Sequence, residues 1–235
     1  MKKVLVPALL LCMCLFTGCA KKYDSIKDYA QAMQEVKTKL GDYTIETVIS
    51  SKSLNMNCIT YKIDNLWKTE TSKNGGKDYS DGILYDGHEV YSYSKIQNVA
   101  MPMPFKQILE QKGEDNEKAL DVIIKMINPT GILFYWDLDD MVENGSNGWE
   151  FGKMTKKNNY QCRMLHHKSG GEVCVSDKYG IAVYAKINTP KQGEVEYNVK
   201  NISNKPLNVS DIGLPEGIKK MSMLDMLKNM TKLAK

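Results

Sequence analysis

Apolar residues between positions 26 and 40 recur every three or four residues, which is the period of an amphipathic helix. Ser25 comes directly before this segment and is a residue type that caps helix N-termini, while Gly41 follows it and is typical of a helix end. We therefore predict a helix over residues 26–40. One face of this helix is apolar and consists of Ile26, Tyr29, Met33, Val36 and Leu40.

From Tyr43 onward the hydrophobic period changes from about 3.6 to two, which indicates half-buried β-strands. Short polar turns separate the alternating segments, as at Asn74-Gly75-Gly76, so the strands are expected to pair in an antiparallel order. The predicted strands cover residues 43–50, 54–63, 66–72, 83–85 and 90–93, and then 149–155, 160–166, 172–176, 181–187 and 194–202.

The middle of the chain has a different pattern. Pro102 and Pro104 argue against a central strand over residues 101–105, because proline lacks the N–H that a strand ladder needs. A helix is predicted over residues 117–127 and ends before Pro129. Its stripe consists of Leu120, Ile123, Ile124 and Ile127. This helix is apolar on more than one side, which fits either a lid over a ligand or a helix buried in an ordinary core.

A last helix is predicted over residues 222–234, with methionines and leucines on one side and lysines on the other. Packing on its own sheet and lying on a membrane are both compatible with this pattern. The order is then helix, strands, helical insertion, strands, helix, with no Gly-, Ser- or Pro-rich linker. One α+β domain over residues 26–235 is the economical interpretation.

The charge balance argues against nucleic acid as a partner. The 235 residues carry a formal charge of +4, and Arg163 is the only arginine. Lysine is poorly suited to bidentate recognition of phosphates or bases.

No motif with catalytic or metal-binding spacing is present. The chain has no P-loop, dinucleotide fingerprint, hydrolase elbow or calcium loop. His166 and His167 are adjacent in a predicted strand, so they point to opposite faces and are not expected to share a metal. We therefore predict no catalytic residue, no metal site and no cofactor, and we do not expect an enzyme.

The fourteen methionines are a high number for a chain of this length. Methionine is flexible and suits binding surfaces that accept several apolar partners. The alternative is that methionine simply replaces leucine in the core.

The first nineteen residues have the pattern of a secretory signal: Lys2 and Lys3, then an apolar run from Val4 to Phe16. Leu15-Phe16-Thr17-Gly18-Cys19 resembles the bacterial lipoprotein signal, or lipobox. The resemblance implies cleavage before Cys19 and attachment of diacylglycerol to its thiol. Residues 1–18 would then be the signal peptide and residues 19–25 a lipidated tether.

The apolar run is shorter than the roughly 20 residues that a membrane-spanning helix needs. Removal of Lys2 and Lys3 would lower the charge from +4 to about +2. The expected location is the cell envelope, on a membrane. This is the outer membrane, facing the periplasm, if the cell has one, and otherwise the outer face of the cytoplasmic membrane.

Three cysteines remain if Cys19 is acylated. Cys58 continues the face of Leu54 and Met56 and is expected to be a buried free thiol. Cys162 and Cys174 flank a predicted turn and are the best candidates for a disulfide. They lie directly opposite each other only if the loop is centred on Lys168, so the sequence leaves the bridge open.

The segment Leu84-Tyr85-Asp86-Gly87-His88-Glu89-Val90-Tyr91-Ser92-Tyr93 resembles a strand-turn-strand unit of the outer-membrane lipoprotein carrier and receptor (LolA/LolB-like) superfamily. The segments 175–181 and 214–217 resemble later parts of the same pattern. This resemblance implies a strongly curved antiparallel sheet, a half-open barrel, with helices covering its concave face. The helix over residues 26–40 would be the first of these, and residues 105–127 would supply a lid.

The resemblance also implies the function that we expect, which is binding of a lipid or other apolar ligand in the cleft. The alternative is a protein-interaction or envelope-stress sensor module that uses the same sheet. A bilayer is the expected partner through Cys19, together with an acyl ligand or an envelope protein. The candidate ligand-binding residues are Ile45, Met56, Trp67, Tyr91, Met103, Leu120, Ile123, Ile124 and Ile127.

Overall fold

The computed structural model describes residues 23–103, 148–189, 193–222 and 225. Helix α1 (Ile26–Leu40) has the predicted bounds. It begins where the Ser25 Oγ accepts a hydrogen bond from the Asp28 N–H at 3.1 Å. It ends at Gly41, whose φ of +66° is a left-handed conformation that glycine adopts without a steric penalty.

The described strands form one twelve-stranded sheet. Most neighbours in the sheet are also neighbours in sequence and pair in an antiparallel order. The exception in the interior is β1, which pairs with β11 as well as with β2 and so joins the two runs of strands. The sheet order is β12-β6-β5-β4-β3-β2-β1-β11-β10-β9-β8-β7. The strands are β1 (Tyr43–Ser50), β2 (Asn55–Ile63), β3 (Leu66–Lys73), β4 (Asp81–Tyr85), β5 (Val90–Ser94), β6 (Val99–Met103), β7 (Trp149–Lys157), β8 (Tyr160–His167), β9 (Glu172–Ser176), β10 (Ile181–Thr189), β11 (Gly193–Ser203) and β12 (Lys219–Lys220).

Strand β6 is not among the strands that the sequence predicts, because Pro102 argues against a central strand. It lies one strand from the edge, and β12 pairs with it in parallel only at Val99 and Ala100. Pro102 stands beyond that pairing, so its missing N–H breaks no ladder bond to β12. The proline therefore limits the length of the edge pairing without preventing the strand.

The two faces of the sheet can be told apart by the register, because residues paired across strands point to the same side. On one face, a continuous row of paired residues crosses from the first run of strands to the second. Helix α1 packs on this side, since the Tyr29 hydroxyl donates to the Val175 carbonyl at 3.3 Å and the Tyr29 ring lies 5.8 Å from Phe151. We name this side the helix face. The row that joins its halves consists of Phe151, Leu165, Val173, Ala185, Tyr197, Ile49 and Met56.

The opposite side, which we name the reverse face, is covered over β2–β6 by the chain that follows β11. That chain includes a one-turn helix α2 (Val209–Ile212) and then returns to the sheet as β12. Ile212 is fully buried there against the strands. The cluster on the reverse face consists of Ile63, Leu84, Tyr91, Tyr93, Ala100 and Ile212, with Leu207, Leu214 and Ile218 packed against it.

A buried charge cluster on the reverse face links the strands to the covering chain. The Glu70 carboxylate lies 2.8 Å from the Lys95 ammonium and 3.6 Å from that of Lys68, and it accepts a hydrogen bond from Tyr93 at 2.9 Å. Lys68 also donates to the Asp211 carbonyl in α2 at 3.2 Å. Lys68 and Glu70 are both buried, so these contacts satisfy groups that would otherwise be costly to desolvate.

Several predicted elements lie outside the described residues. They are the signal segment with Cys19, the helix over 117–127 and most of the helix predicted over 222–234. At the start of that last segment, Ser222 and Asp225 exchange the hydrogen bonds of a helix N-cap. No helix among the described residues is long and apolar enough to span a bilayer.

Candidate functional site: an apolar row on the helix face

One row of side chains on the helix face crosses six consecutive strands and is apolar at all but one position. It runs from β1 to β6 at the end of the strands that lies next to Gly41 and the β4–β5 turn. We name it the apolar row. Its members are Tyr43, Lys62, Trp67, Tyr85, Val90 and Met103.

The one charged member, Lys62, stands between two aromatic rings. Its ammonium lies 5.8 Å from the Tyr43 ring centre and 5.9 Å from the Trp67 ring centre. The two rings are themselves 6.0 Å apart and nearly perpendicular. The cation therefore caps an edge-to-face aromatic pair, an arrangement in which both ring quadrupoles attract it.

Lys62 also lies at the C-terminal end of α1, where its ammonium is 3.5 Å from the Gly41 carbonyl. Among the described residues, no carboxylate lies within ion-pair distance of it. The apolar row thus carries one cation whose charge is met by ring faces and a helix end.

Polarity rises along the strands away from the apolar row. The next row contains Ile45 and Ile83 but also the buried pair Thr60 and Thr69, whose hydroxyl oxygens lie 3.0 Å apart. The row after that consists of Thr47, Cys58, Thr71, Asp81, Ser94 and Val99. The helix face of β1–β6 is therefore amphipathic along the strand direction, with its apolar end at the row.

The side chains of the apolar row are nearly inaccessible to solvent. Trp67, Tyr85 and Val90 keep only 5%, 8% and 3% of their surface exposed. Ile83 and Met103 are only half-buried, so solvent reaches this face near β4 and β6.

Four of the sequence-predicted ligand-binding residues share one face of the sheet. Ile45, Met56, Trp67 and Met103 all lie on the helix face, and Trp67 and Met103 belong to the apolar row. Tyr91 does not share this face. It lies on the reverse face, where its hydroxyl donates to Glu89 and accepts from Lys220. Leu120, Ile123, Ile124 and Ile127 lie outside the described residues, as does Cys19.

The disulfide between Cys162 and Cys174 is present, with Cα atoms 5.4 Å apart. The loop is centred on Ser169 rather than on Lys168, so Cys174 pairs with Met164. Cys162 is therefore a diagonal neighbour of Cys174, and the sulfurs meet because both side chains point to the reverse face. Cys58 is a buried free thiol, as predicted, and its burial raises its pKa to about 11.

A second cluster on the helix face was not predicted. The Arg163 guanidinium lies 5.6–5.9 Å from the ring centres of Tyr23, Tyr29 and Phe151. Its Nε is buried and has no hydrogen-bond partner among the described residues. Burial and the neighbouring Asp177 both raise the pKa of Tyr29, whose hydroxyl donates to the Asp177 carboxylate at 2.9 Å.

This cluster fixes the start of α1 to β7–β9. No local sequence pattern indicates it, because the segments around Tyr23, Phe151 and Arg163 meet only in the folded chain. Within the described ranges, no group of three potential ligands is placed to hold a metal ion.

Comparison with known proteins gives a likeness of fold but not of sequence. No family model and no curated protein matches the chain. An uncharacterized conserved protein from Thermus thermophilus is similar with a TM-score of 0.53 at 9% identity, over 83% of this chain and 99% of that one. The structure of MucB is similar with a TM-score of 0.50 at 7% identity, over 82% of this chain.

This chain spans only 63% of the MucB chain. A LolA superfamily protein from Nitrosomonas europaea, NE2245, aligns over 82% of this chain and 99% of that one, at 6% identity and a TM-score of 0.37. The likeness of fold rests on the first two structures.

Proposed function

We propose that this protein is a lipid-anchored protein of the bacterial cell envelope that binds an amphiphilic lipid along the apolar row. The observation that carries this proposal is the row itself. Six consecutive strands place five apolar side chains in line on one face, together with a single lysine. We further propose that the role is binding and not catalysis, with the anchor at Cys19.

The length of the row suits an acyl chain. From Lys62 on β2 to Met103 on β6 there are four strand spacings of about 4.8 Å, roughly 19 Å in all. Each buried methylene contributes about 0.8 kcal/mol. A chain lying along the row would therefore bind with a strong dependence on its length, and the Lys62 ammonium would face an anionic head group.

The side chains of the row are almost fully buried, so a ligand can bind only if the packing around them rearranges. The half-buried Ile83 and Met103 mark the side from which entry requires the least displacement. Ligand binding would then exchange contacts within the protein for contacts with the acyl chain, a switch between two packed states.

The test is titration of residues 20–235 with a fluorescent polyene fatty acid and with saturated fatty acids that compete for the site. We expect each loss of two methylenes to weaken competition roughly tenfold. Met103→Gln should weaken binding several-fold, whereas Met154→Gln should not. Met154 is a matched control because it is also half-buried but lies on β7, at the other end of the sheet. Equal effects of the two variants, or no dependence on chain length, would refute the proposal.

A protein-interaction module is the second candidate, and one observation favours it. Among the residues that the structure describes, the most exposed large apolar side chains are Ile96 in the β5–β6 turn and Val209 in α2, which are 78% and 65% exposed. Both lie away from the apolar row. MucB has been crystallised in complex with MucA(peri). If this candidate holds, a partner protein should be captured stoichiometrically from envelope extracts and lost on Ile96→Ser or Val209→Ser.

A further inference from the structure

The N-terminal end of the described chain is held firmly against one end of the sheet. The Tyr23 ring lies 5.0 Å from the Tyr29 ring in an edge-to-face contact, and the Arg163 guanidinium lies 5.9 Å from the Tyr23 ring. Tyr29 and Arg163 in turn contact Phe151 on β7. Tyr23 is therefore a fixed point on the protein body, beside β7–β9.

The chain from this fixed point to Cys19 is short. Three residues separate them, so there are four steps from one Cα to the next, and a fully extended chain spans at most about 3.6 Å per step, or roughly 14 Å. If Cys19 carries the lipid, as the proposed function holds, Tyr23 cannot lie more than about that distance from the lipid head groups. A short tether attached to a fixed point restricts orientation as well as distance.

We propose that the end of the sheet around Tyr23 is a membrane-docking surface that holds the protein in one orientation on the bilayer. The surface consists of Tyr23, Phe151, Lys153 and Lys178. Its partner is the head-group region of the bilayer in which the acyl chains of Cys19 are inserted. This inference rests on the anchor in the proposed function and is independent of the ligand in the apolar row.

The exposed groups of this surface suit a membrane interface. Phe151 is 37% exposed and is one of three large apolar side chains that the described residues leave open to solvent. Aromatic side chains and lysines are favoured at the level of the head groups. Lys153 and Lys178 are both exposed, and Lys178 lies over the Tyr179 ring with its ammonium 4.8 Å from the ring centre.

Acidic groups on the same elements keep the net charge of the surface small. Asp24 and Asp28 flank the start of α1, Glu150 precedes Phe151, and Asp177 precedes Lys178. The docking is therefore a consequence of tether length and aromatic contact, and not of a basic patch. It should change little between low and moderate salt, unlike binding driven by exposed charges.

The opposite end of the sheet is many strands away from this surface, so we expect it to lie farther from the bilayer. Ile96 is in the turn between β5 and β6, and β5 is eight strands from β8 in the sheet order. At about 4.8 Å per strand this is roughly 38 Å measured along the sheet. Positions 153 and 96 therefore report the two ends of the predicted orientation.

The test uses the full lipidated chain, purified from membranes and reconstituted in vesicles of phosphatidylcholine and phosphatidylglycerol. A fluorophore is placed at Lys153→Cys, at Lys178→Cys as a second position on the same surface, or at Ile96→Cys. The parent chain supplies the background, because Cys58 is fully buried and Cys162 and Cys174 are bridged. Quenching is measured with a lipid that carries a nitroxide on its head group.

We expect at least twofold quenching at positions 153 and 178, little at position 96, and a difference that persists when salt is raised from 50 to about 500 mM. Equal quenching at all positions, or stronger quenching at 96, would overturn the docking surface while leaving the anchor intact. Mass spectrometry that finds Cys19 without acyl chains would overturn both. Binding of fatty acids by the apolar row is measured separately and is unaffected by any of these outcomes.

Discussion

Gly180 determines how closely α1 can approach the sheet. A substitution at this position therefore tests the packing of α1 on the helix face. It lies in the turn between β9 and β10 with φ at +63°. A Cβ at this position would overlap the Met33 carbonyl oxygen and come within 2.7 Å of the Lys37 amide nitrogen. Both atoms belong to the backbone of α1, so neither can move aside by changing a rotamer.

The cost of Gly180→Ala has two parts. Placing a residue with a Cβ in the left-handed region costs about 1–2 kcal/mol. Overlap with packed neighbours adds typically 1–3 kcal/mol. The expected loss in the free energy of unfolding is therefore about 2–5 kcal/mol. Part of this loss arises because α1 is displaced from β9 and β10.

Gly193→Ala is the matched control. Gly193 has a φ of +68°, close to that of Gly180, and a Cβ there would meet nothing within 4 Å. It should therefore lose only the backbone part, about 1–2 kcal/mol. The difference between the two variants isolates the contact between α1 and the turn.

The assay is urea unfolding of residues 20–235 followed by tryptophan fluorescence. With a slope near 2 kcal/mol/M, the extra loss in Gly180→Ala corresponds to a midpoint lower by about 0.5–1.5 M than in Gly193→Ala. Equal midpoints for the two variants would refute the account, because α1 would then not be held at the distance described.

Three further predictions follow from the contacts. Glu70→Gln should destabilise the fold by about 3 kcal/mol in chemical unfolding, because it leaves Lys68 and Lys95 without their buried carboxylate. The control Glu194→Gln removes a carboxylate from an exposed ion pair and should cost less than about 1 kcal/mol. Equal losses in the two variants would contradict the burial of the cluster. The pKa of the Cys58 thiol is raised to about 11, so the native state favours the protonated form. The free energy of unfolding should therefore fall between pH 9 and 11, by at most about 3 kcal/mol. Cys58→Ala lacks the thiol, so its free energy of unfolding should fall less over the same pH range. Lys62→Met should weaken binding of a fatty acid about fivefold but leave binding of its methyl ester unchanged in competition titrations; an equal loss for both would show that Lys62 does not face the head group.

The local elements were largely predictable because their signals lie within a few residues. Ser25 and Gly41 delimit α1, and alternation located ten of the twelve described strands. The exceptions are β6 and β12: β12 has only two residues, and β6 contains a proline that stands beyond its pairing with β12. A pairing of that kind is formed by tertiary structure and leaves no local pattern.

The site was predictable only in part, because alternation shows which residues of one strand share a face but not how that face matches the next strand. The turn between β4 and β5 illustrates this. Tyr85 pairs with Val90 across the four residues 86–89, so Val90 joins the apolar row and Tyr91 points to the reverse face. A loop one residue longer or shorter would have exchanged the two.

The disulfide shows the same limitation. The sequence did not determine whether the loop after β8 is centred on Lys168 or on Ser169, and direct pairing of the cysteines depended on that choice. The structure centres it on Ser169, and twist brings the diagonal neighbours Cys162 and Cys174 together. The Arg163 cluster also depends on three segments far apart in sequence, so no local pattern revealed its geometry.

The most direct test of the proposed function is native mass spectrometry of residues 20–235 produced in a lipid-containing bacterial host. If the apolar row binds an amphiphile, the folded protein should carry one lipid molecule per chain. That adduct should persist through purification and fall in occupancy in Met103→Gln but not in Met154→Gln. Repeated preparations that contain only the bare protein mass, together with no binding of added fatty acids, would contradict it.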